Sequence, residues 1–539
     1  MSRQRLPIGI QTFREIQEGD FYYVDKTGFA LRLIDEGKYY FLARPRRFGK
    51  SLFLDTLAEL FSGHQALFEG LEAHARWDWS RRYPVVRFSF GGGIVRNPAE
   101  LEVKIREQLE INQQALGLRG TQPSVGGCFA ELIRSAHAET GERVVVLIDE
   151  YDKPILDNLG NPETARMMRD GLRNLYSVIK DSDAHIGFAF LTGVSKFSKV
   201  SLFSGLNNLF DLTISPQYSA ICGYTEADLD RVFAPELEGL DREQVRAWYN
   251  GYNWTGEAVY NPFDLLLLFR ERTFRAWWFE TGSPSFLIET LTERQTWLPQ
   301  LGQLETDAAL LSAFDIGHMT TEALLWQTGY LTIAEEEFLS GMYFYRLRYP
   351  NQEVYQSLNS ALLEAWTAAG SESVRHRRSL HRRLLANDFA GLEQLFTAFF
   401  ASIPHDWYRN NPIAQYEGYY ASVFYAYFAS LGLDLTPEES SNAGRLDLAL
   451  RFNGQVYLFE FKVVELEPEG AALQQIKARG YADRYRANGQ PIHLIGVEFS
   501  REQRRVVGFQ AETMPGSSSE APSKAPHLNT PRASDTHTW

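Results

Sequence analysis

The stretch that most constrains this chain is a strand, a tight turn and a helix, in that order, over residues 38–61. Residues 39–42 form an apolar run, and residues 44–51 read RPRRFGKS. Apolar residues then recur at helical spacing, so one face of the helix is expected to pack against a sheet. A Gly-Lys-Ser turn between a strand and a helix is typical of a phosphate-binding loop. In such loops backbone N–H groups bind phosphates, the lysine reaches the terminal phosphates and the serine binds magnesium.

This loop departs from the usual pattern G-x-x-x-x-G-K-[ST], because Arg44 stands in place of the first glycine. We expect Pro45 to fix the turn and the arginines to add positive charge. Ser51 is also a predicted magnesium ligand. The nucleotide-binding residues predicted in the loop are Arg46, Arg47, Phe48, Gly49, Lys50 and Ser51.

An acidic pair follows the next apolar strand, residues 143–148. A continuous apolar run indicates a strand that is buried on both faces. At its end, Asp149 is expected to complete the magnesium shell and Glu150 to orient the attacking water in nucleotide hydrolysis. The alternative is that the two acids merely begin a loop. Their combination with Lys50 and Ser51 favours the hydrolysis site.

A further buried strand, residues 186–191, ends in Thr-Gly-Val-Ser. Thr192 or Ser195 is a candidate sensor of the terminal phosphate, and Thr192 is counted among the predicted nucleotide-binding residues. Strands that alternate with helices predict an α/β fold with a parallel sheet and helices on both faces. The aromatic segment of residues 6–27 precedes the loop. It either folds over the nucleotide base or only packs on the sheet.

Composition limits the classes of protein that fit. A chain of 539 residues suggests several domains. With two cysteines, Cys128 and Cys222, a disulfide framework is not expected and a reducing cytoplasm fits. No apolar run is long enough to span a bilayer. The net charge of -14 argues against non-specific coating of nucleic acid, but a local basic groove is allowed. The basic run at residues 375–383 either binds phosphates or forms a solvated helix face.

A β-hairpin near the C-terminus carries a second group of charged residues. Asn-Gly at residues 453–454 separates two strand-like runs, 445–452 and 455–464, and predicts a two-residue turn. This turn sets the register, so Phe452 faces Gln455. In the same register Asp447 lies opposite Glu460, and Lys462 lies opposite Arg445. The other face of the hairpin is apolar and is expected to pack into the domain.

Two opposed carboxylates repel each other unless a cation lies between them. We therefore predict a divalent metal, Mg²⁺ or Mn²⁺, between Asp447 and Glu460, with Glu417 of the preceding helix as a third ligand. Lys462 would stabilise the charge that develops on a phosphate or position the attacking water. The alternative is a surface ion network in which Arg445 and Lys462 neutralise the two acids. The predicted catalytic residues of the chain are Glu150, Asp447, Glu460 and Lys462.

The chain resembles the bacterial AAA-ATPase-like family that is usually fused to a C-terminal nuclease of the PD-(D/E)XK superfamily. The resemblance rests on residues 44–51, on Asp-Glu-Tyr-Asp at 149–152 and on residues 192–198. It continues through residues 248–252, 260–263, 281–284 and 327–331. In that family an arginine-bearing loop is normal. The resemblance implies ATP as the nucleotide and action on DNA.

The fold implied is α/β: a P-loop ATPase with a parallel sheet and a helical lid and connector, followed by an α/β PD-(D/E)XK nuclease-like domain. The predicted boundaries are 1–220 for the ATPase, 221–370 for the lid and connector, 371–512 for the nuclease and 513–539 for a disordered Ser/Pro-rich tail.

The expected function is ATP hydrolysis coupled to metal-dependent cleavage of DNA, in defence against foreign DNA by family analogy. The alternative is a non-catalytic, ATP-dependent regulatory or scaffold protein that binds nucleic acid or a protein partner. The expected partners are ATP and DNA, with no membrane, in the cytoplasm. The sequence leaves open whether the chain forms a homo-oligomer and which arginine would serve as an arginine finger.

Overall fold

The computed structural model describes residues 3–196, 208–280, 285–294, 296, 298–311, 319–367, 370–401, 417–441, 444–503 and 505–516. The motif at residues 281–284 and residues 517–539 of the predicted tail lie outside the described residues, as do the side chains of Glu417 and Arg445. The described residues divide into two compact units, one within 1–368 and 422–432 and the other within 369–421 and 433–539.

The first unit is built on a parallel sheet with the strand order β2-β3-β4-β1-β5. Strands β1, β3 and β4 are almost wholly buried, as expected for strands with helices on both faces. The carboxyl ends of parallel strands meet at one edge of the sheet, so the turn after β1 and the acids after β3 lie at the same edge. The strands are β1 Tyr39–Ala43, β2 Val85–Ser89, β3 Val144–Asp149, β4 Ile186–Gly193 and β5 Phe210–Asp211.

Helices connect these strands, and several begin at a side chain that caps the helix. Asn97 accepts a hydrogen bond from Glu100 N, and Ser124 accepts one from Gly127 N. The α/β alternation predicted from the sequence is confirmed. The helices are α1 Phe13–Glu18, α2 Thr27–Glu36, α3 Lys50–Phe61, α4 Glu72–Arg76, α5 Pro98–Ala115, α6 Val125–Thr140, α7 Lys153–Leu156 and α8 Pro162–Asp181, with 3₁₀ turns at Gln65–Phe68 and Asp183–His185.

A helical region and a small antiparallel sheet follow in the same unit. The sheet has the order β6-β8-β7, with β6 Glu305–Asp307, β7 Thr332–Leu339 and β8 Met342–Arg348. Its helices are α9 Glu226–Val232, α10 Ala234–Leu237, α11 Arg242–Tyr249, α12 Pro262–Glu271, α13 Trp277–Glu280, α14 Ser285–Glu293, α15 Ala308–Leu311, α16 Thr321–Thr328 and α17 Gln352–Thr367, with 3₁₀ turns at Pro216–Tyr218 and Leu298–Gln303. Tyr22 and Val24 of the N-terminal segment belong to the apolar core of this region.

The second unit contains a mixed sheet with the order β13-β12-β11-β10-β9. Strands β11 and β12 are parallel, and the other neighbours are antiparallel. Strands β9 and β13 were not assigned from the sequence, and β13 runs two residues past the predicted domain boundary at 512. The elements are α18 Gly370–Leu385, α19 Phe389–Ala401, β9 Asp434–Ser441, β10 Gly444–Phe452, β11 Gln455–Val464, α21 Ala471–Ala478, α22 Asp483–Arg486, β12 Ile492–Ser500 and β13 Val506–Met514. Helix α20, Glu417–Ala429, begins in this unit, and its residues from Ser422 onward belong to the first unit.

The hairpin of β10 and β11 has the predicted register next to its turn, whereas the predicted pairs of Asp447 with Glu460 and of Arg445 with Lys462 are not among its described pairs. Phe452 pairs with Gln455, and the described pairs continue to Leu448 with Phe459. Asn453 has φ 49° and Gly454 has φ 70°, as a two-residue turn that matches the strand twist requires. Both faces of β11 are buried. One is the apolar face that was predicted to pack into the domain, and the other is covered by α21 and the segment after it.

Candidate nucleotide and nuclease sites

The phosphate loop leaves β1 and ends at the N-terminus of α3. Arg47 and Gly49 both have positive φ, at 69° and 91°, so the chain turns twice in the left-handed region before the helix begins. A Cβ at Gly49 would meet nothing within 4 Å, so the backbone conformation, not crowding, favours glycine here. Since the first N–H groups of α3 have no partner within the helix, this turn presents them to an anion.

Lys50 is a buried cation at the end of the loop. Its ammonium group donates hydrogen bonds of 2.9 Å to the carbonyl oxygens of Arg44 and Pro45. Burial lowers the pKa of Lys50, and the negative charge of Asp149 opposes this shift. The ammonium group is therefore held at the helix N-terminus by backbone carbonyls of the loop. The ion pairs of the described residues do not include Lys50, so a terminal phosphate would supply an opposite charge.

Arg44 does not add charge to the phosphate site, and that part of our expectation is wrong. Its side chain is 1% exposed and donates to the carbonyl oxygens of Ala43 at 2.9 Å, Thr213 at 3.0 Å and Tyr218 at 3.1 Å. The guanidinium carbon lies 3.9 Å from the ring centre of Trp254. Arg44 thus ties the start of the loop to the segment that follows β5. The arginines exposed in the loop are Arg46 and Arg47.

The acidic pair lies at the end of β3, as predicted. Glu150 N donates to Asp149 Oδ1 at 3.0 Å, and Glu150 has φ 48°. Burial and the neighbouring charge of Asp149 raise the pKa of Glu150. A raised pKa makes a carboxylate a stronger base, which suits a group that orients and deprotonates water. Gly91 lies against Glu150, since a Cβ at Gly91 would be 3.0 Å from Glu150 Oε2.

The polar residues at the end of β4 bond within the sheet. Thr192 Oγ1 donates to Leu42 O at 2.9 Å and is fully buried. Asp152, which the sequence analysis used only for the resemblance, accepts from Ser195 N at 2.6 Å, Ser195 Oγ at 2.5 Å and Val194 N at 3.1 Å. These bonds join the ends of β3 and β4. The sensor role of Thr192 therefore stays a prediction.

One cavity of about 590 Å³ brings much of this site together. The predicted residues that line it are Arg46, Arg47, Phe48, Gly49, Lys50, Ser51 and Glu150; Asp149 and Thr192 are not part of its lining. This volume is in the range of small-molecule sites. Several other lining residues were not predicted, among them Cys222, Gly223, Tyr224 and Phe263. The first three follow the sheet in the chain without a motif, and the motif that contains Phe263 supported only the family resemblance. The N-terminal segment also contributes, through Tyr22, Tyr23 and Lys26.

The second candidate site lies on β10 and β11. Glu460 is 1% exposed, and Lys462 Nζ lies 3.7 Å from Glu460 Oε1. Asp447 Oδ2 accepts a hydrogen bond of 2.8 Å from Phe461 N. The structure therefore brings Asp447, Glu460 and Lys462 to the same part of the hairpin, as predicted.

Helix α21 adds a residue that the sequence analysis did not assign to the site. Gln475 Nε2 donates to Glu460 Oε1. The helix is held close to the sheet at two points. Glu498 on β12 accepts hydrogen bonds from Gly470 N at 3.0 Å and Ala472 N at 3.2 Å, and a Cβ at Gly496 would be 2.4 Å from Leu473 N. Since Gly496 pairs with Glu460 across the sheet, the missing side chain lets α21 bring Gln475 to the acid.

The donor set suits a hard divalent cation, because Asp447 and Glu460 supply carboxylate oxygens. Among the described side chains, no group of three or more His, Cys, Asp or Glu residues is placed to hold a metal ion. The predicted third ligand, Glu417, begins α20, but its side chain lies outside the described residues. The metal site stays a prediction that rests on the two carboxylates.

Comparison with known proteins agrees with this division into two sites. Residues 7–203 match the family model described as predicted AAA-ATPase, and residues 415–509 match the PD-(D/E)XK nuclease superfamily. A protein of Azotobacter chroococcum mcd 1, described as an uncharacterized protein in the vnfD 5' region, is 66% identical over 515 residues, which are 95% of this chain and 100% of that protein. The chain belongs to the AAA-ATPase-like family with a C-terminal PD-(D/E)XK nuclease domain.

The AAA-ATPase-like match includes the phosphate loop and the acids after β3, and the nuclease match includes β10, β11 and α21. The chain therefore combines an ATPase-like module with a nuclease-like module. The resemblance and the fold class inferred from the sequence are confirmed. None of the described helices has both the length and the apolar character needed to cross a membrane.

Proposed function

We propose that this AAA-ATPase-like protein binds and hydrolyses ATP in the phosphate-loop cavity, and that its C-terminal domain cleaves DNA with a divalent metal. The observation that carries the first part is the cavity itself, in which the buried ammonium of Lys50, the start of α3 and the carboxylate of Glu150 meet. A buried cation at a helix N-terminus fits a nucleotide triphosphate, and a carboxylate with a raised pKa fits the activation of water.

In this proposal Lys50 and the backbone N–H groups of α3 bind the β- and γ-phosphates, and the exposed Arg46 and Arg47 neutralise further phosphate charge. Ser51 and Asp149 would hold Mg²⁺, which when bound draws charge from the phosphate oxygens. Glu150 orients and deprotonates the attacking water. Tyr22, Tyr23 and Tyr224 line the same cavity, so they are candidates to contact the base.

At the nuclease site Asp447, Glu460 and Glu417 are the proposed ligands of Mg²⁺ or Mn²⁺, which when bound would supply a metal-activated water and polarise a phosphate. Lys462 lies beside Glu460 and stabilises the negative charge that grows on the phosphate. The hydrogen bond from Gln475 orients the Glu460 carboxylate.

We further propose that ATP binding or hydrolysis controls cleavage, in defence against foreign DNA, and that the protein is cytoplasmic. Light scattering with and without ATP tests whether it forms homo-oligomers. The cytoplasmic location is supported by Cys128 and Cys222, which form no disulfide. The resemblance of both modules to one fused family supports the coupling.

The test uses the purified full chain with labelled double-stranded DNA, single-stranded DNA and RNA, in Mg²⁺ or Mn²⁺, with ATP, with a non-hydrolysable analogue and without nucleotide. We expect cleavage of DNA that requires the metal and whose rate differs between ATP, the non-hydrolysable analogue and no nucleotide. Glu465→Ala, on an exposed residue just after β11, serves as the matched control for changes at the nuclease site. If the protein binds ATP but neither hydrolyses it nor cleaves any of the substrates, the result would instead support the regulatory or scaffold alternative.

A further inference from the structure

Two carboxyl groups lie fully buried in the lid region, Asp264 on α12 and Glu353 on α17. Among the described residues, no donor forms a well-aligned hydrogen bond with either oxygen of Asp264 or with Oε2 of Glu353, although the backbone N–H of Trp278 lies near enough to Asp264 to oppose the rise of its pKa. Nor does any ion pair of the described residues involve either acid. The two acids are neighbours, since each changes the pKa of the other. Two neighbouring buried carboxylates without counter-charge are costly, and a proton held by one of them removes most of this cost.

Glu353 is linked to the phosphate loop through Trp278. Glu353 Oε1 accepts hydrogen bonds from Trp278 N at 2.8 Å and from Phe279 N at 3.3 Å. The indole Nε1 of Trp278 then donates to Arg46 O at 3.1 Å. Glu353 therefore holds the backbone of Trp278, and the side chain of Trp278 holds the phosphate loop.

Asp264 is linked to the same loop through its neighbour in α12. The Arg47 guanidinium lies over the ring of Phe263, 4.8 Å from the ring centre. Phe263 also lines the nucleotide cavity. Hence both exposed arginines of the loop contact a residue next to the acid pair, Arg46 by its carbonyl and Arg47 by its side chain.

We propose that Asp264 and Glu353 share a proton and in this state hold α12 and Trp278 against the phosphate loop, so that the pair positions the loop for nucleotide. The inference rests on the proposed nucleotide site. Neither acid lines the cavity, so both are positioning residues and neither takes part in the chemistry.

The surroundings of the pair favour the protonated state. Burial and the charge of Glu353 raise the pKa of Asp264 well above its usual range, and burial raises the pKa of Glu353 to about 7. The ionisable groups that face the pair are Tyr249, Tyr252 and Glu280. Burial raises the pKa of both tyrosines, so they stay neutral, and the charge of Glu280 raises the pKa of Glu353 further.

The direction of the pH effect follows from these shifts. Acids whose pKa is raised by folding stabilise the folded arrangement fully below their ordinary pKa, and this contribution is lost as pH rises through the raised values. Ionisation of both acids would place two like charges side by side behind Trp278. Nucleotide binding is therefore expected to weaken as pH rises through and above neutrality.

The test measures binding of a fluorescent ATP analogue, mant-ATP, to the full chain from pH ~6 to ~9. Asp264→Asn keeps the shape of the side chain, is always neutral and offers an N–H donor to Glu353. We expect it to bind at high pH about fivefold or more tightly than wild type and to match wild type at low pH. Glu271→Gln neutralises an exposed acid on the same helix and should follow the wild-type profile.

Parallel pH profiles for wild type and Asp264→Asn would overturn the inference, because ionisation of the nucleotide itself affects both proteins equally. Trp278→Phe provides a second measurement, since it keeps an aromatic ring and loses the indole N–H. It should weaken binding, and an unchanged dissociation constant would also refute the positioning role. If wild type binds no mant-ATP at any pH, the proposed function fails instead.

Discussion

Replacement of Arg44 by glycine would restore the usual first residue of the phosphate-loop pattern, yet we expect it to destabilise the protein. The guanidinium donates to the carbonyl oxygens of Ala43, Thr213 and Tyr218, all within 2.9–3.1 Å. In Arg44→Gly these buried acceptors lose their donors. The contact with Trp254 is lost as well.

The magnitude follows from these contacts. Hydrogen bonds to a charged group contribute about 1.5–3 kcal/mol each, and a desolvated cation–π contact contributes about 2 kcal/mol. Burial lowers the pKa of Arg44 to about 10, which indicates that desolvation of the charge offsets about 3 kcal/mol of this gain. With the lower value for each of the three hydrogen bonds, we therefore expect Arg44→Gly to lower the free energy of unfolding by about 4 kcal/mol. Arg44→Lys keeps the charge without the planar set of donors and should lower it by about 2 kcal/mol.

The assay is urea denaturation of the full chain, followed by tryptophan fluorescence and by circular dichroism. Arg46→Ala is the matched control, because Arg46 lies in the same loop with an exposed side chain and its backbone carbonyl is kept. We expect it to change the free energy of unfolding by less than about 0.5 kcal/mol. If Arg44→Gly were as stable as Arg46→Ala, the structural role assigned to Arg44 would be refuted.

Three further predictions concern the chemistry of the two sites. Lys50→Ala should abolish ATP binding, because it removes the charge next to the terminal phosphates, whereas Glu150→Gln should bind ATP and stop turnover; filter binding and phosphate release distinguish the two. Asp447→Ala and Lys462→Ala should each abolish Mg²⁺- or Mn²⁺-dependent cleavage and leave ATP hydrolysis largely intact, and undiminished cleavage by Asp447→Ala would contradict the proposed mechanism. Gln475→Ala should reduce cleavage about 10- to 100-fold by releasing the Glu460 carboxylate, as measured by initial rates at saturating metal; a wild-type rate would show that this hydrogen bond does not matter.

Local patterns in the chain were enough to predict the elements that carry the two sites. The buried strands that end at Asp149 and at Thr192 are short apolar runs, and such runs are visible without knowledge of their neighbours. The Asn-Gly turn set the register of the hairpin, because a two-residue turn leaves one way to pair the strands that follow it. Asp447, Glu460 and Lys462 could therefore be grouped before the fold was known.

Contacts between segments far apart in the chain decided the rest. Arg44 looks like a member of a charged loop, but two of its three hydrogen-bond acceptors lie about 170 residues away in the chain. Gln475 joins Glu460 only because Gly496, from another strand, lets α21 approach the sheet. In the same way Trp278 contacts the phosphate loop across 232 positions of sequence. Periodicity and turn residues report the backbone state of neighbouring residues, whereas the partner of a buried polar group is chosen by tertiary packing.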